Sequence, residues 1–351
     1  MSHISLLTAG ALTGALTLTG SHTGEHRLTH RDAAETAWET TASVTYDTQV
    51  EESLLDIDGQ EMEPALGMQR TAVYTVRAID RIAAAEDGWA TDFTREFVEA
   101  HRSSGADGVG DSGEEGEVQI AGLGDHESPF AEESVRFLWS EDEELYRVEL
   151  PEDSGLEEEW LAGLSPRFDG TAWLPDGAVE IGDQWEVDPE AFRGLFEPAG
   201  DMRWFKEEDG PGDDDDEAGF VRIEIPGVRA GFDLPELEGT LTVQLLEVED
   251  GLATLELSAD LLYEGDIYEL LAEDGDLDVE NVDRIFILEG TGSVVWNLAN
   301  ARLESLDLEA DLTDRYDGEG YLNFGPQEVP LAVSQASSGT AVFAWSCAAA
   351  E

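Results

Sequence analysis

A short strand–turn–strand pattern decides the fold class: VYTVRA at residues 73–78, followed by EDGWAT at residues 86–91. In the first segment every second residue, beginning with Tyr74, is apolar. A period of two residues is typical of a half-buried β-strand. Asp87-Gly88 in the second segment is a preferred sequence for the two-residue type I′ turn that joins antiparallel strands. The stretch therefore predicts a β-hairpin.

The hairpin pattern recurs later in the chain. EDGWAT at 86–91 returns as EDGLAT at 249–254, and SVRFLW at 134–139 has a looser counterpart in SVVW at 293–296. The two counterparts follow in the same order. This indicates a duplicated antiparallel β-hairpin module, which we expect to span residues 32–150 and 239–351. The alternative is that acidic hairpins resemble one another because Asp-Gly is a generic turn sequence.

Residues 151–238, between the two modules, contain two of the three helix signals. Ser154 and Glu157 have the spacing of a capping box, and Pro166 would end the helix that follows. Asp188-Pro189 has the sequence of an N-cap and first helical position. The second helix, which would start there, would bury three apolar residues, Phe192, Leu195 and Phe196. A third short helix is predicted in the second module, over residues 266–273.

The fold class that follows is mainly β (α+β): a duplicated antiparallel hairpin module with a few short helices that cover a sheet face. Two segments rich in glycine and acidic residues, 103–124 and 206–219, are predicted to be exposed loops, because such runs repel themselves and stay solvated.

A proline- and glycine-containing stretch lies within this connection, with the sequence LPDGAVEIGDQW at 174–185. Its LP-x(3)-V-x(2)-GD-x-W pattern resembles a stretch in several groups of uncharacterised exported bacterial β-rich proteins. The resemblance implies export and a β fold and carries no known chemistry. From the residues themselves, Val179 and Ile181 alternate as a strand, Gly182-Asp183 form a turn and Trp185 is expected to be a buried anchor.

The charge is strongly negative and unevenly placed. The 351 residues include 81 Asp and Glu against 18 Lys and Arg, a formal net charge of −63, which excludes nucleic-acid binding through a basic surface. Residues 1–31 hold one acid, Glu25, and residues 4–20 form an uncharged apolar run. We predict a signal peptide and mobile N-terminus over 1–31, an exported protein of the periplasm or extracellular space, and no integral membrane domain after signal removal.

Catalytic motifs are missing from the sequence. The single cysteine, Cys347, cannot form an intramolecular disulfide, and no Gly-x-Ser-x-Gly, His-Glu-x-x-His or phosphate-loop pattern is present. The catalytic residues are therefore unknown. Carboxylates are abundant, so a carboxylate-dependent, glycosidase-like hydrolase remains an alternative.

One acidic stretch suggests a metal site. Asp274, Asp276 and Asp278 begin like a calcium-binding loop, and Glu280 follows. Val279 stands where an EF-hand needs its glycine, so an EF-hand is rejected and a looser calcium site is predicted. Calcium is the one cofactor that the sequence suggests, and a calcium-stabilised surface or adhesion module is a further alternative.

The leading hypothesis is an exported β-sheet protein of the cell envelope with a non-catalytic binding or structural role. Its partner would be a small apolar ligand, a peptide or another envelope component. The sequence predicts no nucleic-acid partner and does not determine the oligomeric state.

The first testable prediction concerns salt. Because dissolved cations screen the repulsion of an acidic surface over about 8 Å or less, we expect a higher thermal midpoint in molar NaCl than in dilute buffer. Calorimetry at both concentrations measures it, and an equal or lower midpoint in salt would contradict the prediction.

Overall fold

A computed structural model describes residues 24–63, 66–107, 124–151, 154–167, 170–196, 198–202, 237–266, 278–324 and 327–350. These residues form fifteen strands, three 3₁₀ helices and one short α-helix. The strands are β1 (His26–Arg27), β2 (Thr36–Ile57), β3 (Gln60–Met62), β4 (Gln69–Glu86), β5 (Trp89–Asp107), β6 (Gly124–Glu127), β7 (Ser134–Ser140), β8 (Leu145–Glu149), β9 (Ala178–Val179), β10 (Gln184–Val187), β11 (Glu238–Glu249), β12 (Leu252–Asp266), β13 (Asp278–Asn297), β14 (Arg302–Phe324) and β15 (Gln327–Ala349). The 3₁₀ helices are Glu158–Gly163, Thr171–Trp173 and Pro189–Phe192, and α1 is Arg193–Phe196.

Thirteen of these strands belong to one antiparallel sheet. Its main path runs β10-β11-β12-β13-β14-β15-β2-β4-β5-β7-β8, with β3 beside β2 and β6 beside β5. Strands β1 and β9 form a separate pair. The mainly β fold class with a few short helices is therefore confirmed.

The two repeated turns have the same backbone. Asp87 and Gly88 have φ values of 51° and 87°, and Asp250 and Gly251 have 51° and 84°. Positive φ at both central residues is the signature of a type I′ turn, as the sequence predicts. Strands from both predicted modules lie in one sheet, joined by the ladder between β15 and β2. The duplication itself stays a prediction.

Strand β14 shows how the sheet separates its two faces. Leu306, Leu308 and Leu312 are at most 7% exposed, while Asp307 and Asp311, at intervening positions, are exposed. Since side chains alternate sides along a strand, apolar residues gather on one face and acids on the other. We call them the inner face and the outer face.

The helix that begins after Asp188 packs on the inner face. The Asp188 carboxylate accepts a hydrogen bond from the Glu190 backbone N–H at 3.0 Å, as its predicted N-cap role requires. Phe196 is 1% exposed and its ring meets those of Phe286 and Phe343 edge to face, with centroid distances of 5.8 and 5.5 Å. Phe192 and Leu195 are fully buried, so the prediction for this helix is confirmed.

The first predicted helix differs from the expectation. It is a 3₁₀ helix over Glu158–Gly163, and Ser154 lies too early to cap it. The Ser154 hydroxyl instead accepts from the Leu156 backbone N–H at 3.2 Å and donates to the Glu133 carboxylate at 3.2 Å. The capping-box prediction was therefore wrong, because a local turn takes the hydroxyl.

Two further predictions are partly corrected. Asp266, the predicted start of a third helix, is the last residue of strand β12, and residues 267–273 lie outside the described part of the chain. The predicted loop over 103–124 begins later than expected, because β5 continues to Asp107. Residues 108–123 and the predicted loop over 206–219 are outside the described residues.

The end of the predicted mobile N-terminus belongs to the fold. Strand β1 pairs with Val179 and Ala178 of β9, and Leu28 is 2% exposed. The Trp296 indole N–H donates to the Thr29 carbonyl at 3.2 Å. The prediction of mobility was therefore wrong for residues 26–31, because the inner face needs apolar cover. Residues 1–23 lie outside the described part.

The LP-x(3)-V-x(2)-GD-x-W stretch makes a tight turn at the edge of the sheet. Gly182 has a φ of 97°, its N–H donates to the Leu245 carbonyl at 2.7 Å, and the Leu245 N–H donates to the Asp183 carbonyl at 3.0 Å. The Trp185 indole N–H donates to the Trp173 carbonyl at 2.9 Å. Trp185 is a half-buried anchor, and Ile181, at 43% exposed, lies outside the core.

The aromatic packing under α1 generates a stability prediction. Replacing Phe196→Ala removes a buried ring between two sheet residues, so we expect a loss of about 3–5 kcal/mol in the free energy of unfolding. Leu54→Ala, at a position 38% exposed, is the control and should change stability little. Urea denaturation measures both, and equal losses would contradict the assigned packing.

Candidate functional site

Buried arginines distinguish the interior of this acidic protein. Five arginines are at most 8% exposed, whereas Asp314, at 7%, is the one Asp or Glu residue buried to that degree within the described ranges. A buried guanidinium is costly unless it is paired and hydrogen-bonded, so the partner of each arginine decides what its surroundings can do. The five are Arg70, Arg95, Arg102, Arg284 and Arg302.

The period of two places these arginines inside. Arg70 has the same phase along β4 as Tyr74 and Val76, and Arg284 has the same phase along β13 as Phe286. An arginine in phase with apolar residues of a strand must project from the inner face. This alternation is visible in the sequence, although the arginines were not predicted to be buried.

Arg95 links the helix-containing connection between the two predicted modules to the sheet. Its guanidinium makes two hydrogen bonds to the Asp80 carboxylate, at 2.7 and 2.9 Å, on the neighbouring strand. It also donates to the backbone carbonyls of Ser165, at 2.7 Å, and Pro166, at 3.2 Å. Arg95 is therefore fully occupied in a structural role.

Arg302 holds the N-terminal segment through an ion pair with Asp32. The Asp32 carboxylate also lies 3.2 Å from His30 Nε2 and accepts from the Ala90 N–H at 2.8 Å. Burial alone would raise the Asp32 pKa, but the His30 hydrogen bond and charge and the Arg302 charge outweigh it, so the pKa is lowered. Asp32 is thus unsuited to act as a general acid near neutral pH.

A polar cluster lies on the inner face where β13, β14 and β15 adjoin. Arg284 donates to both oxygens of Asp314, at 2.8 and 3.0 Å, with 2% and 10% of the two side chains exposed. Tyr316 stands between Arg284 and Gln335 in register. Burial raises the Tyr316 pKa, so its hydroxyl stays protonated. With Arg70, which reaches Gln335, these residues form the inner polar cluster.

Arg70 is the member without a carboxylate partner. One of its terminal nitrogens donates to the Gln335 side-chain oxygen at 3.3 Å. Desolvation lowers the Arg70 pKa, and the nearby Tyr316 and Asp314 oppose that effect. The Asp314 carboxylate is already engaged bidentately by Arg284. The cluster therefore contains one guanidinium in excess.

Two histidines of the β-sheet, His101 and His126, lie in different surroundings. His101 is on the outer face with its Nδ1 3.1 Å from a Glu99 oxygen. His126 pairs in register with Arg102, whose guanidinium lies 5.7 Å from the centroid of the Tyr74 ring. Burial raises the Tyr74 pKa although Arg102 opposes the shift. These contacts do not place a serine or cysteine nucleophile beside either imidazole.

The structure does not describe the side chains of the four predicted calcium ligands. Asp274 and Asp276 lie outside the described residues, and Asp278 and Glu280 are in β13 with side chains that are not described. Elsewhere in the described ranges no group of three or more His, Cys, Asp or Glu side chains is placed to hold a metal ion. The calcium site stays a prediction.

No protein-family model and no curated protein matches the chain. Among solved structures, it is similar to an outer membrane channel from Pseudomonas putida F1 (8% identity, 91% of this chain and 98% of that chain, TM-score 0.19). It is also similar to OprG from Pseudomonas aeruginosa (8%, 91% and 99%, TM-score 0.22) and to lipovitellin (9%, 88% and 25%, TM-score 0.26). Such low TM-scores do not establish a common fold.

Helices long and apolar enough to cross a membrane are absent from the part of the chain that the structure describes.

The Arg284–Asp314 pair generates the third prediction. Asp314→Asn leaves Arg284 buried without its charged partner, so we expect a loss of about 3–5 kcal/mol in the free energy of unfolding. Asp317→Asn, on the outer face of the same strand, removes the carboxylate that pairs with the half-exposed Arg315 at 3.0 Å and is the control. Chemical denaturation of both variants at pH 7 measures the difference. Equal losses of unfolding free energy in the two variants would contradict the prediction that the buried pair stabilises the protein more than the exposed pair does.

Proposed function

We infer that this chain is an exported β-sheet protein of the cell envelope or the extracellular space, and that it acts by binding. The observation that carries the non-catalytic part is the state of its buried carboxylates. Asp314 is held bidentately by Arg284, and Asp32 is ion-paired with Arg302. Both carboxylates are thus engaged by guanidinium groups, and the lowered pKa of Asp32 keeps that carboxyl from serving as a proton donor near neutral pH.

The packing of the inner face supports the same proposal. The aromatic residues of the helix at Pro189–Phe196 fill the space above β13 and β15, with Phe192, Phe196 and Phe343 at most 1% exposed. A carboxylate-dependent hydrolase needs a cleft in which two carboxyl groups converge and one has a raised pKa. The buried carboxylates of the described part do not offer that arrangement, so hydrolysis is the weaker alternative.

Export is supported by the sequence on both sides of residue 31. Residues 4–20 have the length and composition of a signal-peptide apolar segment, whereas the body that follows is strongly acidic. The resemblance of LPDGAVEIGDQW at 174–185 to exported β-rich proteins agrees with this proposal. A periplasmic and an extracellular location are equally compatible with these features.

The fourth prediction tests export. Full-length protein produced in a bacterial host should appear outside the cytoplasm, with a mature mass that lacks roughly the first 20 residues. The double substitution Leu6→Arg and Leu7→Arg interrupts the apolar run and should leave the unprocessed chain inside the cell. Mass spectrometry of each cell fraction makes the comparison. An unprocessed, cytoplasmic wild-type chain that begins at Met1 or Ser2 would overturn the proposal of export.

A further inference from the structure

Arg70 has hydrogen-bonding capacity that the protein does not use. It is 8% exposed, and its Nε–H lies buried without an acceptor among the described residues. Within that part of the chain its one side-chain hydrogen bond goes to a neutral amide, at 3.3 Å, and no carboxylate forms an ion pair with it. The N–H groups of a guanidinium lie in one plane and can donate together to an anion. The unpaired Nε–H of Arg70 is therefore available to such a ligand.

Gln335 supplies a second unused donor beside the first. This residue is 3% exposed, and its side-chain oxygen accepts from Arg70. The nitrogen of the same amide, Nε2, is buried and has no hydrogen-bond partner in the part of the chain that the structure describes. Leaving a buried donor unpaired destabilises the fold, and this site has two such donors. Both orphan atoms are donors, so the missing group must be an acceptor.

The charge of the cluster points to the same kind of group. Arg70 and Arg284 contribute two positive charges and Asp314 one negative charge, which leaves a net +1. Tyr316 is buried and keeps its proton, so it does not supply the missing negative charge. An uncompensated buried charge is strongly destabilising, and an anion that accepts from the orphan donors would remove both costs.

We propose that Arg70 and Gln335 form a buried site for a small anion on the inner face of the sheet. The occupant accepts hydrogen bonds from Arg70 Nε and Gln335 Nε2 and neutralises the excess guanidinium. Chloride and small oxyanions such as acetate and phosphate share this chemistry. The site deepens the proposed binding function and rests on it for the biological role of the anion, but it does not depend on export.

Arg70 reaches Gln335 across an intervening strand. The Arg70 side chain crosses β2 to reach Gln335 on β15, because the ladder order is β15-β2-β4. Arg70 lies opposite Thr48 of β2, whereas Gln335 lies opposite Ser53 of the same strand, so the contact runs obliquely over β2. The two donors of the proposed site therefore come from strands that are not neighbours in the sheet.

The fifth prediction is measured by thermal unfolding at constant sodium concentration. Gluconate, a bulky anion, is replaced stepwise by chloride, acetate or phosphate, so the screening of the acidic surface by sodium stays the same. A ligand present at about one hundred times its Kd should raise Tm by about 3–5 °C. The anion that acts at the lowest concentration identifies the occupant among the three probes.

Three variants separate a bound anion from a general salt effect. Gln335→Glu places a carboxylate against Arg70, so it should raise Tm in gluconate and remove the response to the smaller anions. Arg70→Met removes the charge and should also remove the response without lowering Tm in gluconate. Arg81→Met, on the same strand at a half-exposed position, is the matched control and should keep the wild-type response.

Crystals grown in bromide provide a direct test. Anomalous scattering should place a bromide ion within hydrogen-bonding distance of Arg70 Nε and Gln335 Nε2, and Arg70→Met crystals should lack it. If the Tm response is the same in wild type, Gln335→Glu and Arg70→Met, and the bromide peak is absent, the proposal is overturned. That result would leave the proposal of export untouched, since export is read from the processed N-terminus.

Discussion

The structure depends on one constraint: side chains alternate between the two faces of long antiparallel strands. A chain with a net charge of −63 can form a core only if its acids are kept away from that core. In β14 every acid between Asp307 and Asp311 lies on the outer face, and the intervening residues are buried. A shift of one residue in register would bury this row of carboxylates, so the charge pattern itself specifies the register.

The same constraint brings like charges together on the outer face. Asp260 on β12 pairs with Glu289 on β13, which pairs with Asp311 on β14, and all three are exposed. Asp266, Asp283 and Asp317 form a second row of this kind. Like charges directly opposite each other weaken strand pairing. Repulsion on the outer face therefore opposes the strand pairing that the inner face stabilises, and we expect the balance between them to depend on dissolved cations.

Features that depend on adjacent residues could be predicted from the sequence, whereas features that depend on residues far apart in the chain could not. The I′ turns, the strand alternation and the helix that buries Phe192 and Phe196 were predictable, because a few adjacent residues determine them. The order of the strands was not, since pairing of β15 with β2 joins residues nearly 300 positions apart. The capping-box prediction at Ser154 was wrong because a serine hydroxyl can stabilise a turn as well as cap a helix. The inner polar cluster was missed because arginine was counted as a surface charge.

Arginine, not lysine, makes such an interior feasible. The chain contains 17 arginines and one lysine, Lys206. A guanidinium can satisfy a carboxylate with two parallel hydrogen bonds and still donate to backbone carbonyls, as Arg95 does with Asp80 and Ser165. Arg284 pairs with Asp314 through two hydrogen bonds of the same kind, and Arg302 forms an ion pair with Asp32. Three buried arginines are thus matched with carboxylates of the chain.

Arg70 breaks this pattern although the chain has carboxylates in great excess. A single inward acid opposite it would complete the cluster, yet the residue that receives Arg70 is the neutral Gln335. An internal carboxylate would be permanent, whereas an anion from solution can bind and leave. In the proposed arrangement the excess positive charge makes the stability of the inner face depend on a solute. We therefore expect cations to act on the outer face of the sheet by screening, and an anion to act on the inner face by occupying a defined position.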